Sequence, residues 1–375
     1  MISDVAVIGA GIAGASLAYH LAGDASVLLL EAEDFLGYHT TGRSAALFSE
    51  TYGNAVIRAL TMSSRGFFEA PPPGFAEHPL LGPRGCLFIA REDQLPSLEA
   101  QCCETPQIRR ITAEEVRRRV PVLRADSIAA GGYDGTETDI DVHALHQGFL
   151  KGARAKGARL VTGARVEAIE RQDGAWQLTT PAGRFSAAIL VNAAGAWADE
   201  IGRLAGAAPI GLTPLRRTAL LIDPPPGSTV TDWPMVIDID EEFYFKPDAG
   251  RLMLSLADET PSPPCDAQPE ELDIALCIDR VQRAADLPVR RVVRAWAGLR
   301  SFVADRTPVV GFDPRVENLF WLAGQGGYGI QTAPAMAELA ASLCRGRGVP
   351  ARLVERGIAE GVLSPARFGG AAVIS

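Results

Sequence analysis

The chain is 375 residues long and carries 36 basic and 45 acidic residues, which gives it a net charge of −9. This length is enough for two domains or one elaborated fold. The acidic balance argues against a nucleic-acid or anionic-membrane surface, because both require a basic face. Apolar residues make up 47% of the sequence and charged residues 22%, which excludes a largely disordered protein.

The cysteine pattern and the first residues bear on the compartment. The six cysteines form no CxxC pair and have no histidine at metal-ligand spacing, so we predict free thiols and no metal site. Residues 1–4 lack the basic start of a signal peptide, and glycines at 9, 11 and 14 interrupt the apolar stretch 5–22. We therefore expect a cytoplasmic protein without a membrane span.

The first thirty residues predict a strand, a helix and a second strand. Residues 4–9 are short, β-branched and bounded by glycine, residues 12–21 have helical apolar spacing, and residues 27–31 form another buried run. This βαβ order implies a parallel sheet. Similar runs return later and predict two further strands and a helix: 187–192, 319–323 and 333–344.

Two intervening regions have a different character. Residues 81–139 mix strand-like pieces with a charged helix near 113–120, and residues 211–294 show strand alternation, as at 242–246. We therefore predict an α/β fold with a discontinuous, doubly wound Rossmann-like domain and an inserted, mainly antiparallel α+β domain. The first domain takes three segments (1–80, 140–210 and 295–375) and the inserted domain two (81–139 and 211–294).

A glycine motif lies at the first strand–helix turn. Gly9, Gly11 and Gly14 form a GxGxxG pattern, and Glu31 ends the next strand. Such glycines allow a tight turn, close approach of a pyrophosphate and close helix–strand packing, while the helix N-terminus attracts phosphate. An acid at the position of Glu31 binds an adenosine ribose hydroxyl and disfavours a 2′-phosphate. These residues predict a dinucleotide site and leave FAD and NAD open.

Two further segments favour FAD. Residues 37–47 form a small-residue loop that we expect to enter a helix, and such a loop can pass its backbone beneath a planar ring. Residues 324–332 supply a second glycine-rich turn at a helix start, where the positive end of the helix dipole would stabilise a reduced flavin.

Several motifs together resemble the FAD-dependent D-amino-acid oxidase and glycine oxidase superfamily, and within it most closely bacterial D-arginine dehydrogenase. They lie in matching order along nearly the whole chain: 37–46, 77–81, 141–148, 191–197, 243–248, 296–302 and 325–331. The resemblance implies a GR2-type FAD-binding domain and oxidative deamination of D-amino acids. In that reaction a hydride passes from the α-carbon to flavin N5, and the imino acid hydrolyses to a 2-oxo acid and ammonia.

The resemblance also implies a set of cofactor-binding residues. Covalent flavin attachment lacks an obvious equivalent, because no cysteine lies between Cys277 and Cys344, so we expect non-covalent FAD. The expected FAD contacts are Gly9, Gly11, Ala13, Gly14, Glu31, Ala32, Thr41, Gly42, Arg43, Ser44, Ala45, Ala46, Val166, Gly195, Gly326, Tyr328, Gly329 and Ile330.

The same resemblance places the substrate. Arg217, Arg300, Tyr244 and Tyr52 match residues that fix a substrate carboxylate over the flavin, and the Gly327 carbonyl would accept a hydrogen bond from the amino group. A guanidinium fork suits this task because it binds a carboxylate in one orientation. Since neighbouring strand residues face opposite sides, only one of an adjacent arginine pair can face the site, and the motif selects Arg217.

Substrate preference is predicted from departures within the family pattern. Cys86 stands where D-arginine dehydrogenase has an acid, and Leu47 and Ser49 stand where it has histidine and threonine. An unpaired cation would be costly there, so we expect neutral or apolar D-amino acids. Alternatives are D-arginine or D-lysine, with Glu50 or Glu242 restoring the charge, and a glycine- or sarcosine-type oxidase that produces hydrogen peroxide.

The sequence indicates less about the electron acceptor that reoxidises the flavin. Some oxidases of the superfamily place a lysine near flavin N5, and of the three lysines here Lys246 already matches the dehydrogenase motif. We therefore expect a dehydrogenase that passes electrons to a quinone or another carrier. A 2-hydroxy acid substrate, a non-enzymatic flavoprotein and an NAD-dependent enzyme remain as other interpretations.

Overall fold

The structure, a computed structural model, describes residues 2–368. Residues 369–375, the end of the predicted FAD-binding segment 295–375, lie outside the described residues. The strands are β1 (Ile2–Ile8), β2 (Val27–Leu30), β3 (Leu47–Phe48), β4 (Leu81–Pro83), β5 (Cys86–Ala90), β6 (Arg109–Thr112), β7 (Ala130–Asp134), β8 (Thr138–Ile140), β9 (Arg159–Val161), β10 (Ala168–Gln172), β11 (Ala175–Thr180), β12 (Gly183–Asn192), β13 (Thr213–Ile222), β14 (Met235–Asp238), β15 (Tyr244–Asp248), β16 (Arg251–Ser255), β17 (Thr260–Pro261), β18 (Val292–Phe302), β19 (Val309–Phe312) and β20 (Leu319–Ala323). The helices are α1 (Ile12–Leu21), α2 (Ala55–Glu69), α3 (Leu95–Glu104), α4 (Ala113–Arg119), α5 (Val142–Ala155), α6 (Ala198–Leu204), α7 (Glu271–Ala284), α8 (Gly329–Cys344), α9 (Ala351–Val354) and α10 (Glu360–Leu363).

The first sheet contains the βαβ unit predicted from the sequence. Its central strands β12, β1, β2 and β9 run parallel, and β20 joins the other edge of β12, also in parallel. β10 and β11 extend it with antiparallel pairing. Helix α1 packs against both α5 and α8 beside this sheet, and the apolar side chains of the three helices form a continuous core with β1 and β2. The fold is therefore α/β, as expected.

The second sheet has nine strands, ordered β17-β13-β16-β15-β14-β5-β7-β6, with β18 on the free edge of β13. All of its pairings are antiparallel except β5 with β14. A small third sheet joins β3, β8 and β4. The predicted domain boundary at residue 295 falls inside β18, which pairs with β13 along nearly its whole length. The division into domains itself stays a prediction.

One local expectation was wrong. Residues 37–47 do not enter a helix: they form a single 3-10 turn, Thr40–Arg43, and lead into β3, while α2 begins only at Ala55. Two interactions tie this turn to β18, since Thr40 Oγ1 donates to the Leu299 carbonyl at 2.8 Å and Arg43 Nη1 donates to the Ala297 carbonyl at 2.8 Å. The loop thus connects the first sheet, which contains β2, to the second sheet, which contains β18.

All six cysteines are unpaired. Within residues 2–368, no cluster of three or more histidine, cysteine or acidic residues could hold a metal ion. The same residues contain no helix with both the length and the apolar character needed to cross a membrane.

Candidate active site

The glycine turn between β1 and α1 is shaped by close backbone packing. Gly9 has a φ of +99°, and a β-carbon there would overlap the Ala193 carbonyl on the neighbouring strand end. A β-carbon at Gly14 would overlap the Gly9 carbonyl oxygen. Glycine is therefore required at both positions for β1, α1 and β12 to meet closely, and α1 begins immediately behind this turn.

A cleft with about 970 Å³ of empty space runs from the start of α1 to the start of α8. Both predicted glycine turns line it, at Gly11 and at residues 324–327 and 329, so a long ligand placed there would meet two helix N-termini. Of the expected FAD contacts, ten line this cleft: Gly11, Ala13, Thr41, Arg43, Ser44, Ala45, Gly195, Gly326, Gly329 and Ile330.

The other expected FAD contacts lie outside this cleft: Gly9, Gly14, Glu31, Ala32, Gly42, Ala46, Val166 and Tyr328. Glu31 lies close behind the turn, since its Oε2 accepts the Ala10 N–H at 2.8 Å. Ala46 lines a second cavity, described below, that adjoins the cleft. Val166 is buried in the core beside the parallel strands. Tyr328 packs against Tyr52 with 5.0 Å between ring centroids, and burial raises the pKa of Tyr328 to about 12.

A second cavity, with about 960 Å³ of empty space, joins the cleft on the side of the antiparallel sheet. All five predicted catalytic residues line it: Tyr52, Arg217, Tyr244, Arg300 and Gly327. Four of them, with Tyr52 the exception, line the cleft as well. The predicted clamp therefore stands where the two spaces meet.

Strand pairing explains why the two arginines come together. Arg300 on β18 is paired with Leu215 on β13, and Arg217 lies two residues further along β13. Paired residues and residues two apart share one face of a sheet, so both arginines face the cavities. The neighbouring Arg216 points to the opposite face, where its Nη2 lies 3.0 Å from Asp273 Oδ2.

The two arginines differ in their partners. Arg217 Nε donates to the Asp258 carbonyl at 2.7 Å, and its Nη2 lies 3.4 Å from Glu259. Arg300 makes no side-chain hydrogen bond or ion pair with any residue in the described part of the chain. Burial opposes its charge, yet Tyr244, Tyr52 and Glu259 raise the pKa of Arg300 above its usual value. Arg300 thus presents a charged fork with free donors.

Of the three residues predicted to set substrate preference, two line the second cavity and one does not. Leu47 and Ser49 line the second cavity. Cys86 does not, because its side chain is fully buried next to the Glu137 carboxyl, which itself lines the cavity. The expectation that Cys86 faces the substrate was therefore wrong.

Glu137 is the site residue that sequence reasoning missed. It follows β7 in an acidic turn, and only folding brings it to Ser49, whose hydroxyl donates to Glu137 Oε1 at 2.6 Å. Burial, with the nearby Asp134, raises the pKa of Glu137 to about 7. The two acids proposed from sequence lie elsewhere: Glu50 pairs with Arg65 at 2.7 Å, and Glu242 lies 3.5 Å from Arg91.

The dinucleotide-type turn, the long cleft of small residues and the second helix N-terminus are features of a flavin-binding oxidoreductase. The chain belongs to the family of FAD dependent oxidoreductases called DAO, which it matches over residues 4–343. FAD is the cofactor, and the glycines at the turn and along the cleft leave the backbone open for its approach.

The individual proteins that this chain is similar to share 25% or less of its sequence. Mitochondrial dimethylglycine dehydrogenase of Rattus norvegicus is 25% identical over 395 residues, covering 98% of this chain and 45% of the relative, so this chain spans about half its length. Glycine oxidase from Geobacillus kaustophilus has a similar fold, with a TM-score of 0.81, 22% identity and coverage of 92% and 95% of the two chains. L-α-glycerophosphate oxidase from Mycoplasma pneumoniae with FAD bound gives a TM-score of 0.80 at 18% identity, covering 92% and 95%.

Proposed function

We propose that this chain oxidises an α-amino acid held by its carboxylate, with D-amino acids as the first candidates. The observation that carries the proposal is Arg300, a charged fork without a protein partner in residues 2–368, at the junction of the cofactor cleft and the second cavity. Bound FAD would accept the hydride that leaves the α-carbon. The resulting imino acid would take up water to give a 2-oxo acid and ammonia.

The residues of this chain would orient the substrate. Arg300 and Arg217 would hold the carboxylate by charge-assisted hydrogen bonds, and Tyr244 and Tyr52 would limit its rotation. The Gly327 carbonyl would accept a hydrogen bond from the amino group, which must be neutral before a hydride can leave. Fixing the α-carbon in this way lowers the activation barrier by several kcal/mol, up to roughly 10.

The lining of the second cavity favours substrates with a side chain. Its walls include Leu47, Phe88, Met235 and Ile237, apolar groups that a substrate side chain would cover and that glycine or sarcosine would leave uncovered. A glycine- or sarcosine-type amine remains the alternative, since the relatives include dimethylglycine dehydrogenase and a glycine oxidase fold. The preference for neutral D-amino acids relied on Cys86 together with Leu47, and of these two only Leu47 lines the cavity, so the preference keeps one of its two grounds.

Electron transfer to a carrier such as a quinone, rather than to oxygen, is part of the proposal. In the described residues no lysine lines either cavity. Lys246 is buried and its Nζ lies 2.6 Å from Asp139. No cysteine or histidine lines the described cofactor cleft either, which supports non-covalent FAD. We also keep the cytoplasmic location as a prediction.

Anaerobic mixing of the FAD-loaded protein with D- and L-amino acids, glycine and sarcosine tests the proposal. We expect D-amino acids to bleach the flavin band, and the reduced protein to be reoxidised faster by a quinone analogue than by air. Bleaching by glycine or sarcosine alone would favour the alternative. If no carboxylate-bearing amine bleaches the flavin, the proposed function is wrong.

A further inference from the structure

The side chain of Arg217 is held by one short segment between β16 and β17. Its Nε donates to the Asp258 carbonyl at 2.7 Å, and its Nη2 lies 3.4 Å from Glu259 Oε1. Within the described chain the Arg217 side chain makes no other hydrogen bond or ion pair. Residues 258 and 259 therefore face two of its three guanidinium nitrogens, and Nη1 is left for a substrate carboxylate.

Asp258 and Glu259 are themselves held in different ways. The Asp258 carboxylate accepts the Thr218 N–H at 2.7 Å and the Thr218 hydroxyl at 3.1 Å, which ties residue 258 to β13, the strand that carries Arg217. The Glu259 carboxylate instead accepts two hydrogen bonds from Arg306, from Nη1 at 3.0 Å and from Nη2 at 2.8 Å. Such fork-to-fork pairing fixes a carboxylate in one orientation, so the orientation of Glu259 depends on Arg306.

The backbone of Arg306 is in an unusual conformation. Its φ of +54° lies in the left-handed region, which glycine adopts freely and other residues adopt rarely. Its N–H donates to the Val303 carbonyl at 2.9 Å, which closes a turn after β18, and its guanidinium carbon lies 3.8 Å from the centre of the Phe302 ring. A strained residue persists where surrounding contacts hold it, and such residues cluster at functional sites.

Glu259 lies among three arginines: Arg306, Arg217 and Arg300. The hydrogen bonds from Arg306, together with the charges of these arginines, lower the pKa of Glu259, which keeps it ionised. Glu259 therefore has two effects on a substrate carboxylate, and they differ in sign. Its negative charge opposes the binding of an anion, whereas its contact with Nη2 improves the alignment of Arg217.

The pair of Glu259 and Arg306 is open to water. The two side chains are 35% and 45% exposed, and ion pairs as exposed as this one contribute little to folding stability. Neither residue is among the described residues that line the cofactor cleft or the second cavity. The pair thus reaches the substrate through Arg217.

We propose that Glu259, held in place by Arg306, is a positioning residue that aligns Arg217 with the substrate carboxylate. The inference deepens the proposed function and rests on it, because it takes the carboxylate clamp as given. Arg300 makes no side-chain hydrogen bond within residues 2–368, so its alignment does not depend on the pair.

A double-mutant cycle tests the inference. Glu259→Gln keeps the size of the side chain and removes its charge, and we expect it to lower kcat/KM by about tenfold. In an Arg217→Met background the same substitution should have no further effect, whereas in an Arg300→Met background the loss should persist. Equal losses in all three backgrounds would overturn the inference. A higher kcat/KM in Glu259→Gln would also overturn it, because the charge of Glu259 would then outweigh its contact with Arg217.

Arg306→Gly separates the ion pair from the fold. Glycine suits a φ of +54°, so this variant should unfold at about the native urea concentration and yet show the same loss of kcat/KM as Glu259→Gln. Arg306→Lys should recover part of that loss, since lysine can still pair with a carboxylate. Asp173→Gly is the matched control: Asp173 has a φ of +51° in the exposed turn between β10 and β11, and the variant should keep native activity. Native kcat/KM in Arg306→Gly would contradict the inference.

The inference and the proposed function fail separately. If no amino acid bleaches the flavin, the proposed oxidation is wrong, and pyruvate, a carboxylate without an α-hydrogen, then tests the clamp. Its affinity for the FAD-loaded protein, followed by the flavin spectrum, should show the same coupling between Glu259 and Arg217, and the absence of pyruvate binding or of coupling would overturn the inference. Bleaching by D-amino acids with independent effects of Glu259→Gln and Arg217→Met would support the oxidation and overturn the role of Glu259.

Discussion

The backbone of Gly327 lies directly against the guanidinium of Arg300. A β-carbon at Gly327 would stand 3.1 Å from Arg300 Cζ and 3.1 Å from its Nη1. The glycine turn before α8 therefore has a second consequence besides opening the cofactor cleft: it leaves room for the arginine that we expect to bind substrate.

Replacing Gly327 by alanine should move Arg300 by a few tenths of an ångström and weaken its alignment with substrate. We expect kcat/KM to fall by about tenfold or more, since small displacements of positioning groups are costly, while the unfolding midpoint changes little. Steady-state kinetics and urea unfolding measure the two effects.

A control for that substitution is Gly66→Ala on α2. Gly66 is exposed, and a β-carbon there would meet nothing within 4 Å. Alanine should stabilise the protein by about 0.5–1 kcal/mol without altering kcat/KM, because it favours the helix. Native activity in Gly327→Ala would show that the contact with Arg300 does not matter for catalysis.

The two arginines should respond differently to replacement by methionine. Arg300→Met should cost about 2–5 kcal/mol of transition-state binding, measured from kcat/KM, with little loss of folding stability, because Arg300 has no carboxylate partner within the described residues. Arg217→Met should lower both quantities, since Arg217 is bonded to Asp258 and close to Glu259. Equal kinetic and stability losses in the two variants would contradict this division of roles.

The packing of Gly14 against Gly9 gives a prediction about FAD retention. Gly14→Ala would place a methyl group on the Gly9 carbonyl oxygen and push α1 away from β1. We expect the purified variant to contain less flavin per protein than the native chain, as measured by the ratio of flavin to protein absorbance. A full flavin content with unchanged affinity would show that the turn tolerates the displacement.

Glu137 should make folding stability depend on pH. Its pKa is raised from 4.5 to about 7 in the folded chain, chiefly by burial, so folding favours the protonated form. This contribution is fully present below pH 4.5 and is lost as the pH rises through about 7, amounting to about 3 kcal/mol at most.

The variant Glu137→Gln isolates that effect. Glutamine cannot ionise, so the variant should be more stable than the native protein at pH 8, by up to about 3 kcal/mol, relative to the difference at pH 5. Denaturant unfolding of both proteins at the two pH values measures it, and other titrating groups such as His20 cancel in the comparison. A pH-independent difference between the proteins would refute the raised pKa.

Local features of the site could be predicted from the sequence because short-range physics fixes them. The turn at Gly9 to Gly14 and the glycine-rich turn before α8 each depend on a few consecutive residues with special backbone requirements, although α8 begins at Gly329 and not at residue 333 as predicted. That only one of Arg216 and Arg217 can face the site likewise follows from strand alternation, a local rule, whereas the choice of Arg217 came from the family motif.

Tertiary structure alone decided what lines the substrate cavity. Cys86 and Glu137 are 51 positions apart in sequence, and no local pattern indicates that Glu137 would line the cavity while Cys86 would not. The free guanidinium of Arg300 is equally a result of long-range pairing between β13 and β18. The burial of a side chain at such a position, its partners and its charge are set by the strands that pair there. That pairing depends on contacts between residues that are distant in the chain.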